Sequence, residues 1–531
     1  MMSIMRNVPR RLLEMSIAIN IFLFIFIFLP HDSAQGALGQ NMEEGRWWRI
    51  PKGVLERLGR KPIEPEHAWE AGVEEQVVEV DGPTSEERQG GCTLCEMDPA
   101  LCQELGKENL ERALSFAGTG MRFRRMLSKL KRGERLVAGV IGGSVSSGHG
   151  IDLLPGWKPD QSTNLHRIIF DRIDHLYPAP NGAVTGKNGR AEGMNSYVNG
   201  AQGASGSQYF SLCYREHLPE DMDVVFVELA INDEVLLSNM DSYEILIRSL
   251  LDLPNKPAIL ALDVFALMFK TVANGGDLHS GISQYYDLPT ISLRNALYEQ
   301  VLANSSIIPE LFSIDRHGEL DLRHINLKGH NLLGRMGAAY VDSQVCEMEK
   351  YEDTFDRAEG MSLDELYPLA PLPRLRLNQP YDSTTHLPQI SPQCFSTNGL
   401  KHPLLPLPSS ALGPNGWHPW QQQDSHKKYL ISTTPGARVS FELHTSLGRV
   451  DLHYLRSESF GLGSVRCWVD GREGEGVRLD GYWEKTFNIG QTTTIKDGLS
   501  IGKHILTCEH LNETKDPKGG KEFRLISAMS I

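Results

Sequence analysis

Three short runs, LVAGVI (136–141), VVFVEL (224–229) and AILALDVF (258–265), are apolar without alternation, the pattern of strands buried on both faces. The stretches between them change period. In NLHRIIFDRIDHLYP, residues Leu165, Ile168, Ile169, Ile173 and Leu176 fall on one helical stripe, and a further helix is expected after His330, through NLLGRMGAAYVDSQV. The basic stretch RFRRMLSKLKRGER (122–135) spaces Phe123, Met126, Leu127 and Leu130 as a helix would, so its cations read as a solvated helix face. Strands alternating with helices predict an α/β domain over 111–350, with a parallel sheet flanked by helices.

The pattern differs on either side. Residues 37–110 are acidic, rich in Gly, Pro and Glu, and aperiodic, and read as an irregular N-terminal extension. Residues 351–425 are rich in Pro, Ser and Gln and read as a linker. From 426 to 531, segments such as ARVSFELHT, RVDLHYLRS and SVRCWVDGRE alternate apolar and polar residues between Gly-rich turns, which predicts a small β-sandwich. Trp417, Trp420, Trp468 and Trp483 are either a sugar platform in that domain or, more ordinarily, packed aromatics.

Composition changes this picture at two places. A net charge of −14 excludes a general nucleic-acid binder. At the N-terminus, Arg6, Arg10 and Arg11 precede IAINIFLFIFIFL (17–29), then Pro30 and small residues, so that 1–36 reads as a cleaved secretory signal or as a type II signal anchor. Either one puts the rest of the chain in the lumen or outside the cell, with membrane contact through that anchor alone. In that compartment an even set of eight cysteines favours disulfides, with Cys467 and Cys508 on two strand-like runs as a candidate pair. Cys92, Cys95 and Cys102 also suggest zinc, but no nearby histidine completes four ligands. Asn304 and Asn512 begin glycosylation sequons.

The candidate chemistry sits at the ends of the strand-like runs, where ligands collect in open α/β sheets. Val137–Ile141 is followed by Gly142, Gly143 and then Ser144. Asn232 and Asp233 follow another run, and Asn232 is also placed to cap the next helix. The loop YVNGAQGASGS offers Gly200, Gly203 and Gly206. In DLRHINLKGH, Asp321 lies three residues before His324, so the carboxylate can orient an imidazole that takes a serine proton. His149 and His330 are rival bases.

These four blocks, in this order, resemble the SGNH hydrolases, the superfamily that includes the GDSL esterases. The resemblance covers about 120 to 345 and implies a flavodoxin-like sheet. It implies Ser144 as nucleophile, Asp321 and His324 as its relay, and an oxyanion hole built from Ser144, Gly203 and Asn232, with Gly200 competing for the glycine's place. No metal or organic cofactor is implied. The family's usual aspartate before the serine is Gly143 here, and its glycine two residues before the asparagine is Ala230. The β-rich half resembles the accessory region of some fungal and algal members. The expected activity is a serine ester hydrolase acting on O-acyl, plausibly acetyl, groups of a polysaccharide. An acyltransferase on the same scaffold and a catalytically silent carbohydrate-binding protein are the alternatives.

Overall fold

The computed structural model describes residues 91–531, apart from 152, 155–157, 187–190, 316–317, 385–389 and 423–426. The N-terminal signal or anchor and most of the acidic extension therefore lie outside the described residues. Among the described residues no helix is long and apolar enough to cross a membrane.

Seven strands make the first sheet: β1 (Leu114–Phe116), β2 (Val137–Gly142), β3 (Ala183–Thr185), β4 (Asn195–Asn199), β5 (Val224–Glu228), β6 (Ala258–Asp263) and β7 (Thr290–Ser292). Their order is β1-β7-β6-β5-β2-β4-β3, and every pairing is parallel except β1 with β7. The apolar runs explain the centre. Ala138 and Val140 of β2 face one buried cluster with Val224 and Phe226 of β5, while Val137, Ile141, Val225 and Val227 face the other. Covering both faces are helices including α1 (Leu165–Leu176), α2 (Ser207–Cys213), α3 (Leu237–Leu251) and α4 (Leu327–Glu352). The helix expected after His330 starts earlier, at Leu327, because Asn326 caps it by accepting the Gly329 N–H. The basic stretch forms the helix Met121–Lys131, with Phe123, Met126, Leu127 and Leu130 buried.

Residues 94–113, which overlap the end of the segment expected to be irregular, form three short helices, Leu94–Met97, Pro99–Leu105 and Lys107–Ala113. Caps at Thr93 and Asp98 start two of them. Disulfides Cys95–Cys102 and Cys92–Cys346 tie them together and to α4, so no zinc set is present there.

The C-terminal half is antiparallel. Strands β10 (Gln393–Ser396), β11 (His418–Gln421), β12 (Lys428–Ser432), β14 (Val450–Arg456), β17 (Ile489–Lys496) and β19 (Phe523–Ser530) form one sheet. A second sheet holds β13 (Arg438–Thr445), β15 (Ser464–Val469), β16 (Val477–Asp480) and β18 (Gly502–His510). Phe441, Val465 and Leu506 from one sheet share a core with Leu452, Phe523 and Leu525 from the other, and the Cys467–Cys508 disulfide joins the adjacent, paired strands β15 and β18 of the second sheet. The domain begins within the proline-rich stretch, since β10 pairs with β19 and Cys394 is bonded to Cys213 of α2. Met529 and Ile531 complete a cluster with Phe210 and Val225 of the α/β domain, so the two domains share a core. Trp417 is fully buried and Trp468 and Trp483 nearly so, while Trp420 is half-buried with the Arg524 guanidinium 4.5 Å from its ring centre. They pack; they form no open platform.

Candidate active site

The strand order reverses at β2, and loops from its neighbours β4 and β5 meet beyond its carboxyl end. Ser144 follows β2 in a run of turns closed by Ser147 N–H to Gly143 O (3.1 Å) and His149 N–H to Ser144 O (2.9 Å). The chain after Ser144 continues in turns, not in a helix. Gly143 has a steric reason. A Cβ there would lie 2.1 Å from Asn232 Oδ1, so the aspartate usual in the resembled family has no room beside this asparagine.

Asp321 and His324 come from an antiparallel hairpin, β8 (Phe312–Ile314) with β9 (Leu320–Ile325). Residues three apart in a regular strand point to opposite faces. Here Ser313 pairs with Asp321 while the adjacent Phe312 pairs with Ile325, so residues 322–324 bulge out. Asp321 Oδ1 accepts the Arg323 N–H (3.0 Å) across that bulge. The bulge turns both side chains to one side. Gly150, with φ of +100°, lets the turn after Ser144 press against this strand, since a Cβ would lie 2.1 Å from Ile325 O.

Ser144 Oγ then lies 2.8 Å from His324 Nε2, and His324 Nδ1 lies 2.6 Å from Asp321 Oδ2. An Nδ1–H donated to the carboxylate leaves Nε2 as acceptor for the serine hydroxyl. Partial burial alone would raise the Asp321 pKa, but the His324 hydrogen bond and charge outweigh it and bring it down to about 2. Ser144 is partly exposed.

The rival histidines are placed differently: His330 lies away from Ser144, and His149 lies beside His324. His330 is fully buried, takes the Leu165 N–H on Nδ1 (3.3 Å), and is pushed down to about 4 by burial. His149 lies against His324, ring centres 4.1 Å apart, and burial and that neighbour push it down to about 4. His149, Asp321 and His324 bring potential ligating atoms within 4.8 Å of one another, but Asp321 Oδ2 and His324 Nδ1 already face each other.

Gly200 and Gly203 also separate. The Gly200 N–H bonds Val140 O (3.0 Å), extending the sheet. A Cβ on Gly203 would instead lie 3.9 Å from Ser144 Cα and Cβ. Asn232 follows β5, half-buried, and among the described residues its buried Oδ1 has no hydrogen-bond partner. It does not cap the next helix, whose cap residue is Leu236. Asp233 is buried, accepting the Ser207 N–H (2.8 Å) and facing His279 Nε2 (2.9 Å), a brace from this loop to two helices.

Reasoning from sequence missed a second serine–histidine–acid line. Ser146 Oγ donates to Glu228 Oε2 (2.9 Å) and lies 2.9 Å from His166 Nε2, and all three residues are fully buried. Burial pushes Glu228 up to about 7. Its signal in the sequence was a glutamate ending the run VVFVE and a histidine inside the helix LHRIIF. Sealed from solvent, this line meets no substrate.

No family model matches the sequence, and no curated protein matches it. Solved structures do. One is a two-domain esterase active on acetylated mannans, crystallised with mannopentaose: TM-score 0.55, 20% identity, over 79% of this chain and 97% of that one. The chain shares the two-domain fold of that protein. A second structure, again of a two-domain esterase active on acetylated mannans, gives TM-score 0.54 and 19% identity, over 79% of this chain and 98% of that one. The two-domain esterase fold agrees with the arrangement implied by the SGNH-like blocks, an α/β domain followed by a β-rich one.

Proposed function

We propose that this chain is a serine carbohydrate esterase that removes O-acyl groups, acetyl above all, from a polysaccharide. The observation that carries the reading is the unbroken line Ser144–His324–Asp321 at the switch point of the sheet. In this reading His324 takes the Ser144 proton as Oγ attacks the ester carbonyl. The oxyanion is held by the Ser144 and Gly203 N–H groups and the Asn232 amide. His324 returns the proton to the departing sugar hydroxyl, leaving an acyl-enzyme. Water, deprotonated by the same histidine, releases the carboxylate and restores Ser144.

The glycan substrate is supported by the fold shared with esterases active on acetylated mannans. The four disulfides support folding in an oxidising compartment, in keeping with a secreted or membrane-anchored enzyme. Acetate release from acetylated polysaccharides, with and without Ser144→Ala, tests the reading. Release by wild type and none by the variant is expected; equal release by both overturns it.

A further inference from the structure

The loop that carries Gly203 is anchored at both ends within the α/β domain. At its start, Gly200 N–H bonds Val140 O and Gln202 N–H bonds Gly142 O (2.9 Å); at its end, Ser207 N–H bonds Asp233 Oδ1. Between these anchors the chain turns through Gln202–Ser205, closed by Ser205 N–H to Gln202 O (3.2 Å). The third residue of this turn is Ala204, with φ of +69°. A turn with positive φ at that position is the type II form, which normally has glycine or asparagine there. Alanine is strained in the left-handed region, so something must hold it.

The hold comes from the other domain. Gly490 N–H bonds the Ala204 carbonyl at 3.0 Å. Gly490 lies on β17, an edge strand of the larger β-sheet, so its outward N–H pairs with the loop of the α/β domain. The approach needs glycine, because a Cβ at 490 would lie 2.3 Å from His453 Nε2 and 3.3 Å from Ala204 O. His453 is itself buried, its ring 4.7 Å from that of Tyr209 on α2, the helix that follows the loop.

We infer that the β-sandwich domain positions the oxyanion loop: the Gly490–Ala204 hydrogen bond holds the left-handed turn that presents Gly203 to Ser144. If Ala204 relaxed to negative φ, the 203–204 peptide would rotate and the Gly203 backbone would shift with it. Gly490 is thus a positioning residue, and the second domain is part of the catalytic apparatus as well as any glycan-binding surface. This rests on the proposed serine esterase reading.

The test uses full-length protein, p-nitrophenyl acetate turnover and a melting curve. Gly490→Ala should lower kcat about 10- to 100-fold, less than outright loss of an oxyanion donor, with KM nearly unchanged. Ala204→Gly alone should turn over like wild type. Combined with Gly490→Ala it should recover most of the lost kcat, since glycine holds the left-handed turn without help. A purely structural defect would show no such rescue. Wild-type kcat in Gly490→Ala overturns the inference, as does a loss that Ala204→Gly fails to restore. Ser144→Ala is run alongside: if it is inactive while Gly490→Ala is normal, only the positioning role fails. Activity in Ser144→Ala would instead sink the esterase mechanism itself.

Discussion

Two serines, two residues apart, each face a histidine and an acid. Ser144 is half-exposed and meets His324 and Asp321, which a bulged hairpin delivers from far along the chain. Ser146 is fully buried and meets His166 and Glu228 beneath the same turn. The residue types match, yet the electrostatics diverge. Asp321 is held down to about 2 by its histidine, while Glu228 is pushed up to about 7 by burial. One acid is held ionised beside its histidine; the other is part of a buried buttress. Asn164 and Asn199 add to that buttress, each donating Nδ2–H to Ser146 O, at 3.0 and 2.9 Å. A serine–histidine–acid line is therefore read from placement and exposure, not from its composition.

The sharpest way to break this contrast is to exchange the two serines' fates. Ser144→Ala should cost on the order of 10⁴ or more in kcat with an unchanged melting point, and His324→Ala several orders of magnitude. His330→Ala should leave turnover largely intact, because His330 serves α1 and not Ser144. A larger loss in His330→Ala than in His324→Ala would move the base.

The oxyanion side comes next in size. Asn232→Ala should lower kcat by about 10²–10³, with KM nearly unchanged. Asp233→Asn should instead act mainly on stability, through the Ser207 and His279 contacts. Melting curves beside steady-state kinetics decide it. A lowered melting point with normal turnover in Asn232→Ala would remove that amide from the chemistry.

Ser146→Ala should reverse the signature of Ser144→Ala. Leaving Glu228 and His166 without their shared partner should cost about 1–3 kcal/mol of stability, measured by denaturant unfolding, and less than about tenfold in kcat. A folded, inactive Ser146→Ala would merge the two lines into one.

The last test leaves turnover aside and reads stability against pH. Folded Glu228 keeps its proton up to about pH 7, against an ordinary value of 4.5, so the folded state binds more protons between those values. Its contribution to stability is therefore full below about pH 4.5 and lost as pH rises through about 7. Glu228→Gln should remove that slope. The wild-type-minus-variant unfolding free energy should then fall by a few kcal/mol between about pH 5 and 8, and a difference flat with pH would contradict the assignment.

Much of this contrast was legible in the residues, and the remainder was hidden for physical reasons. Apolar runs showed β2, β5 and β6 because strands buried on both faces need continuous apolar sequence. Ser144 and Asn232 were visible because each follows such a run, whereas Gly203 and Asp321–His324 were carried by glycine and Asp–His spacing and by the resemblance to the SGNH hydrolases. The bulge that unites Asp321 with His324 was not, since a register shift leaves no periodic mark. Nor was Ser146, whose partners are single polar residues within apolar elements. The helices at 94–113 are too short for periodicity, and only their caps and cysteines announced them. The strand Gln393–Ser396 lay hidden in proline-rich sequence because its order comes from β19 and Cys213.

Whether Ser144 is the nucleophile can be read directly by mass spectrometry of the protein after reaction with a fluorophosphonate probe. A single adduct on the peptide bearing Ser144, localised to that residue, abolishing acetate release, is the expected result. An adduct on Ser146, or full acetate release from protein whose Ser144 is modified, would contradict it.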